Sequence, residues 1–423
     1  MLDVFSIKDF TFPKDFFWGS GYAGHQVEGN NVHSHKWVME TQGNWPEKSG
    51  LACNSYELYE KDFDIAQSLS HQAFRTSVEW SRIEPHEGEF CQEAADHYVK
   101  MFASLKARGM KVFCTLVHMS FPDWFHKLDS FNKLENVKYF LRYVEYIVPK
   151  IAPYVDYWNV LNEHNLVPKL DYRLNSVIFH AKAYHVIKKY SNAPVSSAHA
   201  LVYYQPYRPH DKWDQMMANY YDMQHHEFFF HAIRTGELVF PFRDVVYDKD
   251  IKNSCDFWSI NSYVRSLCDA RKKTGMGANY EFADRHFIDI DFYLQEFNPE
   301  CIIANLSRLT DKPVIITENG MCCTDDRQRI VWLTLYLCAL SESIRMGIDV
   351  KGYLYWSLLD NYEWWSYAPT FGLCKCDLET FERTPKPSAY FYQEIIKNNG
   401  FNQDILRKFL NEIPSGKDRL NHK

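Results

Sequence analysis

The feature that most constrains the fold is an alternation of short β-rich runs with longer stretches of helical periodicity. Eight runs have the length and the β-branched and aromatic content of buried parallel strands. They span residues 16–21, 72–80, 111–118, 154–163, 193–201, 255–263, 312–320 and 351–360. After the second run, apolar residues from Ala95 to Leu105 recur at three- and four-residue spacing, and Gly109 follows as a helix stop signal. The same spacing predicts amphipathic helices over 137–148 and 330–344.

This order predicts a parallel sheet, because each helix returns the chain to the same edge of the sheet before the next strand begins. Eight such units, with no Ser/Gly-rich linker and no break in composition, favour a closed barrel over an open doubly wound sheet. We therefore predict an α/β fold, a single (β/α)8 TIM barrel, in which residues 1–423 form one domain.

Composition excludes several classes of partner. The net charge of −7 is mild for 423 residues, and Lys and Arg are scattered, so we expect no nucleic-acid partner. No stretch approaches the roughly 18 apolar residues of a membrane span, so we expect no membrane partner. The N-terminal segment does not resemble a secretory signal. An odd number of cysteines, 11, with Cys322 beside Cys323, suits a reducing compartment and predicts a cytoplasmic protein.

The sequence predicts neither a metal nor a cofactor. Cys374 and Cys376 have no second Cys or His pair at metal-ligand spacing. The stretch "HHEFFFH" at 225–231 lacks the second His of an H-E-x-x-H zinc site, because Phe230 occupies that position. Nothing in the sequence predicts an oligomeric state.

Polar residues stand where the predicted strands end. In a barrel of this kind the loops after the strands converge on one mouth, where the chemistry takes place. The residues at these ends are Gln26, Glu28, Glu79, His118, Asn162, Glu163, His199, Asn261, Tyr263, Glu318 and Trp356. Solvation alone would explain any one of them, but it does not favour Gln, His, Asn, Tyr and Trp over Lys, Ser and Gly.

Two of these residues are carboxylates at the ends of the fourth and seventh runs. Glu163 and Glu318 would therefore face each other across the mouth. A facing pair of carboxyl groups, one protonated and one ionised, is the requirement of glycoside hydrolysis. A separation of about 5 to 5.5 Å would make the second carboxylate a nucleophile and the reaction retaining.

Five motifs carry a resemblance to a known family. They are "FFWGSGYAGHQVEG" (16–29), "FRTSVEWSRIEP" (74–85), "WNVLNEHN" (158–165), "VIITENG" (314–320) and "GYLYWSLLDNYEWWSYAPTFGL" (352–373). Their order and wording resemble the family 1 glycoside hydrolases, the β-glucosidase and β-galactosidase family. The resemblance covers residues 16 to about 397 and implies a retaining, exo-acting β-glycosidase that needs no cofactor.

The resemblance also implies a role for each site residue. Glu318 matches the nucleophile and Glu163 the general acid and base, while Asn162 matches the residue that binds the 2-hydroxyl of the sugar. Arg75 and Tyr263 match the residues that hold the nucleophile, and Asn261 matches a supporting position. The residues that match the family's sugar-binding groups are Gln26, His118, Glu363 and Trp364, with Trp356 as the stacking platform.

Three alternatives to this interpretation stay open. A 6-phospho-β-glycosidase is disfavoured because Glu363 would repel a phosphate, although Ser366 and Lys375 are near in sequence. A transglycosidase would use the same residues. An inactive sugar-binding barrel is conceivable because Met119 and His164 replace the Trp and Pro usual in the family, and His164 could perturb the pKa of Glu163.

Overall fold

The computed structural model describes residues 3–272, 287–289 and 294–414. Eight parallel strands form a closed barrel, and each of the eight predicted runs coincides with one of them, the last strand beginning one residue before its run. The strands are β1 (Phe17–Gly21), β2 (Ala73–Ser77), β3 (Lys111–Val117), β4 (Tyr157–Asn162), β5 (Val195–Ala200), β6 (Trp258–Asn261), β7 (Val314–Asn319) and β8 (Val350–Trp356). Each strand pairs with its neighbours in chain order, and β8 closes the barrel on β1. The predicted (β/α)8 fold is confirmed.

Helices follow the barrel strands and pack around them. The longer ones are α1 (Ser55–Ser68), α2 (Gln92–Ala107), α3 (Val137–Ile151), α4 (Leu170–Tyr190), α5 (Lys212–Asp222), α6 (Phe228–Thr235), α7 (Glu300–Leu306), α8 (Asp326–Arg345) and α9 (Pro387–Asn398). A π-helical turn, Met223–Glu227, joins α5 to α6. The three helices predicted from apolar periodicity correspond to α2, α3 and α8.

Short helices, 3₁₀ turns and two-stranded sheets lie at the two ends of the barrel. Short helices span Gly24–Val27, His35–Thr41, Trp80–Ile83, Asp123–Lys127 and Gln403–Phe409, and 3₁₀ turns span Val4–Ser6, Ser130–Asn132, Leu134–Asn136, Ala152–Tyr154 and His164–Leu166. Two-stranded sheets pair Phe10–Thr11 with Gly400–Phe401, Tyr203–Pro206 with Arg265–Cys268, Glu237–Leu238 with Val246–Tyr247, Phe287–Asp289 with Leu294–Glu296, and Cys374–Cys376 with Arg383–Pro385.

The barrel interior is sealed at the end where most strands begin. A separate apolar cluster fills it there, made of Phe17, Ala73, Phe113, Phe257, Ile315 and Leu354, with Tyr157 packed against it. Phe113 and Tyr157 stack with ring centroids 4.4 Å apart. Apolar side chains therefore fill the barrel interior at this end, and the polar residues lie at the other end, where the strands finish.

The strand pairing becomes irregular close to those ends. The register shifts between Asn159 and Asn162 where β4 pairs with β5, and between Ile260 and Asn261 where β6 pairs with β7. After the second shift Asn261 lies opposite Glu318. Register irregularities of this kind re-aim side chains next to active sites. None of the helices in residues 3–272 and 294–414 combines the length and the apolar character needed to cross a lipid bilayer.

The interior cluster gives a direct prediction about stability. Leu354 is fully buried, whereas Leu378 is 43% exposed. Leu354→Ala should lower the free energy of unfolding by about 2–5 kcal/mol, because the barrel cannot collapse into the space left. Leu378→Ala should change it by about 0.5 kcal/mol or less. Urea denaturation followed by tryptophan fluorescence measures both, and equal losses would show that the cluster does not support the barrel.

Candidate active site

The predicted site residues meet around one cavity of about 330 Å³ at the carboxyl ends of the barrel strands. Ten of them line it: Gln26, His118, Asn162, Glu163, Asn261, Tyr263, Glu318, Trp356, Glu363 and Trp364. Arg75 is buried and contacts two of these residues directly. Three other polar residues at strand ends, Glu28, Glu79 and His199, do not line the cavity. Their side chains bind Arg82, Asn31 and His226 instead.

Glu318, on β7, has two strong hydrogen-bond donors. Arg75 Nη1 lies 2.5 Å from its Oε1 and forms an ion pair with it, and Tyr263 Oη donates to its Oε2 at 2.9 Å. Burial raises the pKa of Glu318, and the Arg75 charge and the Tyr263 hydroxyl counteract that rise. Both oxygens are held, so the carboxylate is stabilised in its ionised form and fixed in direction.

Arg75, on β2, connects Glu318 to the neighbouring strands. Its Nη2 donates to Asn162 Oδ1 at 2.6 Å, and its Nε donates to Thr115 Oγ1 at 3.1 Å. Asn162 also lies near His118, with its Nδ2 3.2 Å from the imidazole Nε2. One guanidinium group thus fixes the side chains at the ends of β3, β4 and β7 relative to each other.

Glu163 has a different environment. It follows β4 in a left-handed backbone conformation with φ of 49°, which separates it from the line of the strand. Its hydrogen-bond donor is the neutral amide of Asn261, with Nδ2 3.0 Å from Oε1. Thr317 Oγ1 donates to Asn261 Oδ1 at 2.9 Å and thereby fixes which way this amide points. Burial, and then repulsion by Glu318, raise the pKa of Glu163 to about 7.

The opposite side of the cavity carries a second carboxyl arrangement. Glu363 accepts from Trp356 Nε1 at 3.0 Å and from Gln26 Nε2 at 3.1 Å. Burial raises the pKa of Glu363 to about 8. Asn361, which the motif analysis did not single out, accepts from Gln26 Nε2 at 2.9 Å. The rings of His118 and Trp356 lie nearly parallel with centroids 5.6 Å apart.

The glycine of the "TENG" motif has a steric explanation. A Cβ atom on Gly320 would lie 1.8 Å from the main-chain oxygen of Trp356. The backbone after Glu318 therefore passes directly against the end of β8. Any side chain at position 320 would push apart the two strands that carry Glu318 and Trp356.

His164, which follows Glu163, is a packed neutral residue. It is buried, it lies edge-on to Phe229 with ring centroids 5.0 Å apart, and neither ring nitrogen has a hydrogen-bond partner among the described residues. Burial lowers its pKa to about 3. A neutral imidazole adds no charge beside Glu163. Burial and Glu318 raise the pKa of Glu163, and Asn261 and Arg75 oppose that rise.

Sequence reasoning missed an apolar set that also lines the cavity. These residues are Leu166, Ala200, Leu201, Val202, Val264 and Phe371. No sequence signal distinguishes them from core residues. Among the residues that the structure describes, no group of three or more His, Cys, Asp or Glu side chains could hold a metal ion.

A closed (β/α)8 barrel with two carboxyl groups in unlike environments at its mouth is the arrangement that glycoside hydrolysis uses. The chain belongs to Glycosyl hydrolase family 1, whose sequence profile matches residues 8–178 and 173–401. The resemblance identified from the motifs is confirmed.

Individual relatives are similar along nearly their whole length. Beta-glucosidase A of Acetivibrio thermocellus is 28% identical, and the match covers 92% of this chain and 99% of that protein. A 6-phospho-beta-galactosidase of Staphylococcus aureus is 27% identical, with coverages of 91% and 98%. Among solved structures, a beta-glycosidase from Pyrococcus horikoshii is 29% identical with a TM-score of 0.83, over 95% of this chain and 98% of that chain.

The Tyr263 contact generates a prediction about pH dependence. Tyr263→Phe removes one donor to ionised Glu318, so the pKa of Glu318 should rise and the acid limb of the kcat/KM profile should move to higher pH. We expect kcat/KM at neutral pH to fall about 10- to 100-fold, since a hydrogen bond to a charged group contributes roughly 1.5–3 kcal/mol.

The matched control is Tyr143→Phe. Tyr143 is a buried tyrosine whose hydroxyl donates to the main-chain oxygen of Leu116 at 3.0 Å. The same atom is removed there, outside the cavity, so thermal stability should fall while the pH profile keeps its acid limb. An unmoved acid limb in Tyr263→Phe would mean that the hydroxyl does not tune Glu318.

Proposed function

We propose that this glycosidase is a retaining, exo-acting enzyme that hydrolyses β-glucosides, β-galactosides or both by double displacement. Glu318 attacks the anomeric carbon, the glycosidic bond breaks, and Glu163 donates its proton to the departing oxygen. The product is a glycosyl ester on Glu318. Glu163, now ionised, then removes a proton from water, which attacks the anomeric carbon and releases the sugar and free Glu318.

The observation that carries this proposal is the unequal treatment of the two carboxyl groups. Glu318 has a cation at 2.5 Å and a hydroxyl donor at 2.9 Å, whereas Glu163 has only an amide donor and a pKa raised to about 7. One group is therefore ionised and the other largely protonated below neutral pH, as nucleophile and acid require.

The same electrostatics support the second step. Repulsion by ionised Glu318 contributes to the raised pKa of Glu163. Formation of the ester removes that negative charge, so the pKa of Glu163 falls and the group can act as a base towards water.

The cavity supports recognition of one terminal sugar. Its volume of about 330 Å³ is at the small end for ligand sites. Gln26 Oε1 is buried and has no hydrogen-bond partner among the described residues, so it can accept from a sugar hydroxyl. Trp356 offers an indole face, which suits the C–H rich face of a pyranose. Asn162 is placed for the 2-hydroxyl beside both carboxyl groups.

An unphosphorylated substrate is favoured over a sugar phosphate. The described residues that line the cavity include no Lys or Arg. Lys375 is exposed on the strand Cys374–Cys376, and Ser366 accepts at its main-chain oxygen from the amide of Glu363. Phosphate recognition relies on cationic or multiple N–H donors, which this cavity does not present in the described part.

Two alternatives remain, a transglycosidase and an inactive barrel. Transglycosylation would follow from an alcohol that replaces water in the second step, and product analysis at high acceptor concentration separates the two. An inactive barrel is not favoured, because both carboxyl groups line the cavity with shifted pKa values.

We also infer that residues 1–423 act as one catalytic domain in a reducing, cytoplasmic setting. The barrel strands are spread from residue 17 to residue 356, which leaves no part of that range as a separate unit. All eleven cysteines remain thiols, and most of them are buried.

Trapping the glycosyl-enzyme tests the assignment of Glu318. Incubation with an activated 2-deoxy-2-fluoro-β-glucoside, or its galactoside counterpart, should give a single adduct by intact-protein mass spectrometry, because fluorine slows the second step. Peptide mapping should place it on Glu318. Glu318→Ala should show no adduct and a loss of turnover of roughly 10⁴-fold or more. An adduct on another residue would overturn the assignment.

The role of Glu163 predicts a second pH effect. Its protonated form is the active one, so kcat/KM should fall as pH rises above about 7. Glu163→Gln cannot ionise and should lose this basic limb. Hydrolysis of an alkyl glycoside should fall roughly 10²- to 10⁴-fold, because its leaving group needs the proton. An activated aryl glycoside should still form the glycosyl-enzyme, and an unchanged basic limb in the variant would exclude Glu163 as the acid.

A further inference from the structure

The cavity has two chemically different sides. The predicted sugar-binding side chains come from the loops after β8, β1 and β3. A second side, here called the apolar wall, consists of Leu166, Ala200, Leu201, Val202 and Val264. These five residues end or follow β4, β5 and β6, which are consecutive in the barrel. Two further apolar residues of the cavity, Met119 and Phe371, follow β3 and β8, so the wall is the largest apolar group of the lining but not all of it.

The apolar wall begins at Glu163. The main-chain N of Leu166 donates to the main-chain oxygen of Glu163 at 3.0 Å. Asn261, which donates to the Glu163 carboxyl group, also accepts at its main-chain oxygen from Leu201 N at 2.8 Å. Because Glu163 must reach the glycosidic oxygen, the atoms beyond that oxygen lie next to these residues.

Several main-chain polar groups of the wall are already hydrogen-bonded. Asn165 binds both the main-chain N and O of Ala200, at 3.2 and 2.8 Å. The oxygen of Leu201 accepts from Asn305 Nδ2 at 2.7 Å. The N and O of Val202 lie 3.3 and 3.0 Å from His226 Nε2, which pairs with one of them at a time.

Val264, the last residue of the wall, also has a hydrogen-bonded main-chain oxygen. The oxygen of Val264 accepts from the main-chain N of Tyr203 at 3.4 Å. Leu166, Val202 and Val264 are each half-buried, so their side chains still present surface to a ligand. Within the part of the chain that the structure describes, the wall therefore offers mainly C–H surface and few hydrogen-bond partners.

We propose that the leaving group of the natural substrate is apolar, an alkyl or aryl alcohol, and not a second sugar. This inference rests on the proposed function and names the aglycone side of the same site. A second sugar would bring several hydroxyl groups against a surface that cannot pair them, and each unpaired buried hydroxyl weakens the transition-state complex. An alkyl or aryl group loses only apolar surface to the wall, which is favourable.

The experiment compares kcat/KM for hexyl β-glucoside and cellobiose, or for hexyl β-galactoside and lactose if galactosides are preferred. Both leaving groups are alcohols, and the sugar hydroxyl is the better leaving group, so the chemistry itself favours the disaccharide. We expect the hexyl glycoside to be preferred about tenfold or more. Equal values, or preference for the disaccharide, would overturn the proposal.

A double variant tests whether the wall is the cause. Val202→Thr with Val264→Thr conserves volume and adds two hydroxyl groups to the wall. The ratio of the two kcat/KM values should move towards the disaccharide by about tenfold. Val245→Thr makes the same change at a position that is 58% exposed, and its ratio should match that of the unaltered protein. Thermal unfolding verifies that all variants are folded, and an unchanged ratio in the double variant would remove the wall from the explanation.

The outcomes separate this inference from the function on which it rests. An adduct on Glu318 together with faster cleavage of the disaccharide would overturn the aglycone proposal and leave the retaining mechanism in place. No adduct and no turnover of any glycoside would overturn both.

Discussion

The ion pair between Arg75 and Glu318 is the constraint on which the rest of the site depends. Both side chains are almost completely removed from water, with 1% and 6% exposed. A carboxylate in such a place is costly unless it is paired and hydrogen-bonded. The guanidinium group of Arg75 offsets this cost, because its rigid set of N–H donors binds Glu318, Asn162 and Thr115 at the same time. It therefore aligns the ends of four strands around one negative charge.

Arg75 pairs with Glu318 and not with Glu163, and this difference between the two carboxyl groups supports the chemistry. Glu163 is half-buried and has the amide of Asn261 in place of a cation, so its charged form is disfavoured. The register shift in β6 brings Asn261 opposite Glu318, where its amide contacts both Asn162 and Glu163. Two identical residue types thus have different partners, and those of Glu318 stabilise its ionised form more strongly than the amide of Asn261 stabilises that of Glu163.

The sequence predicted the strands and ten of the side chains that line the cavity for a physical reason. Buried parallel strands must be short apolar runs, and chemistry must stand at their carboxyl ends, so position carries information about role. The same rule also selected Glu28, Glu79 and His199, which turn away to bind Arg82, Asn31 and His226. The direction in which a side chain points at a strand end depends on the local register and on partners far away in sequence. A single sequence shows neither of these.

The apolar wall could not be predicted from the sequence, because its residues resemble those of the core. Leu201 and Val202 continue an apolar strand and have the composition of core residues, so nothing in the sequence marks them as lining a cavity. Their role follows from the closure of the barrel, which places the end of β5 between Glu163 and Asn261. The side chains of the wall carry no charge, so substitutions among its apolar residues leave the contacts of Arg75 with Glu318, Asn162 and Thr115 in place. If the wall meets the leaving group, as we propose, specificity and catalysis rest on different side chains of one cavity.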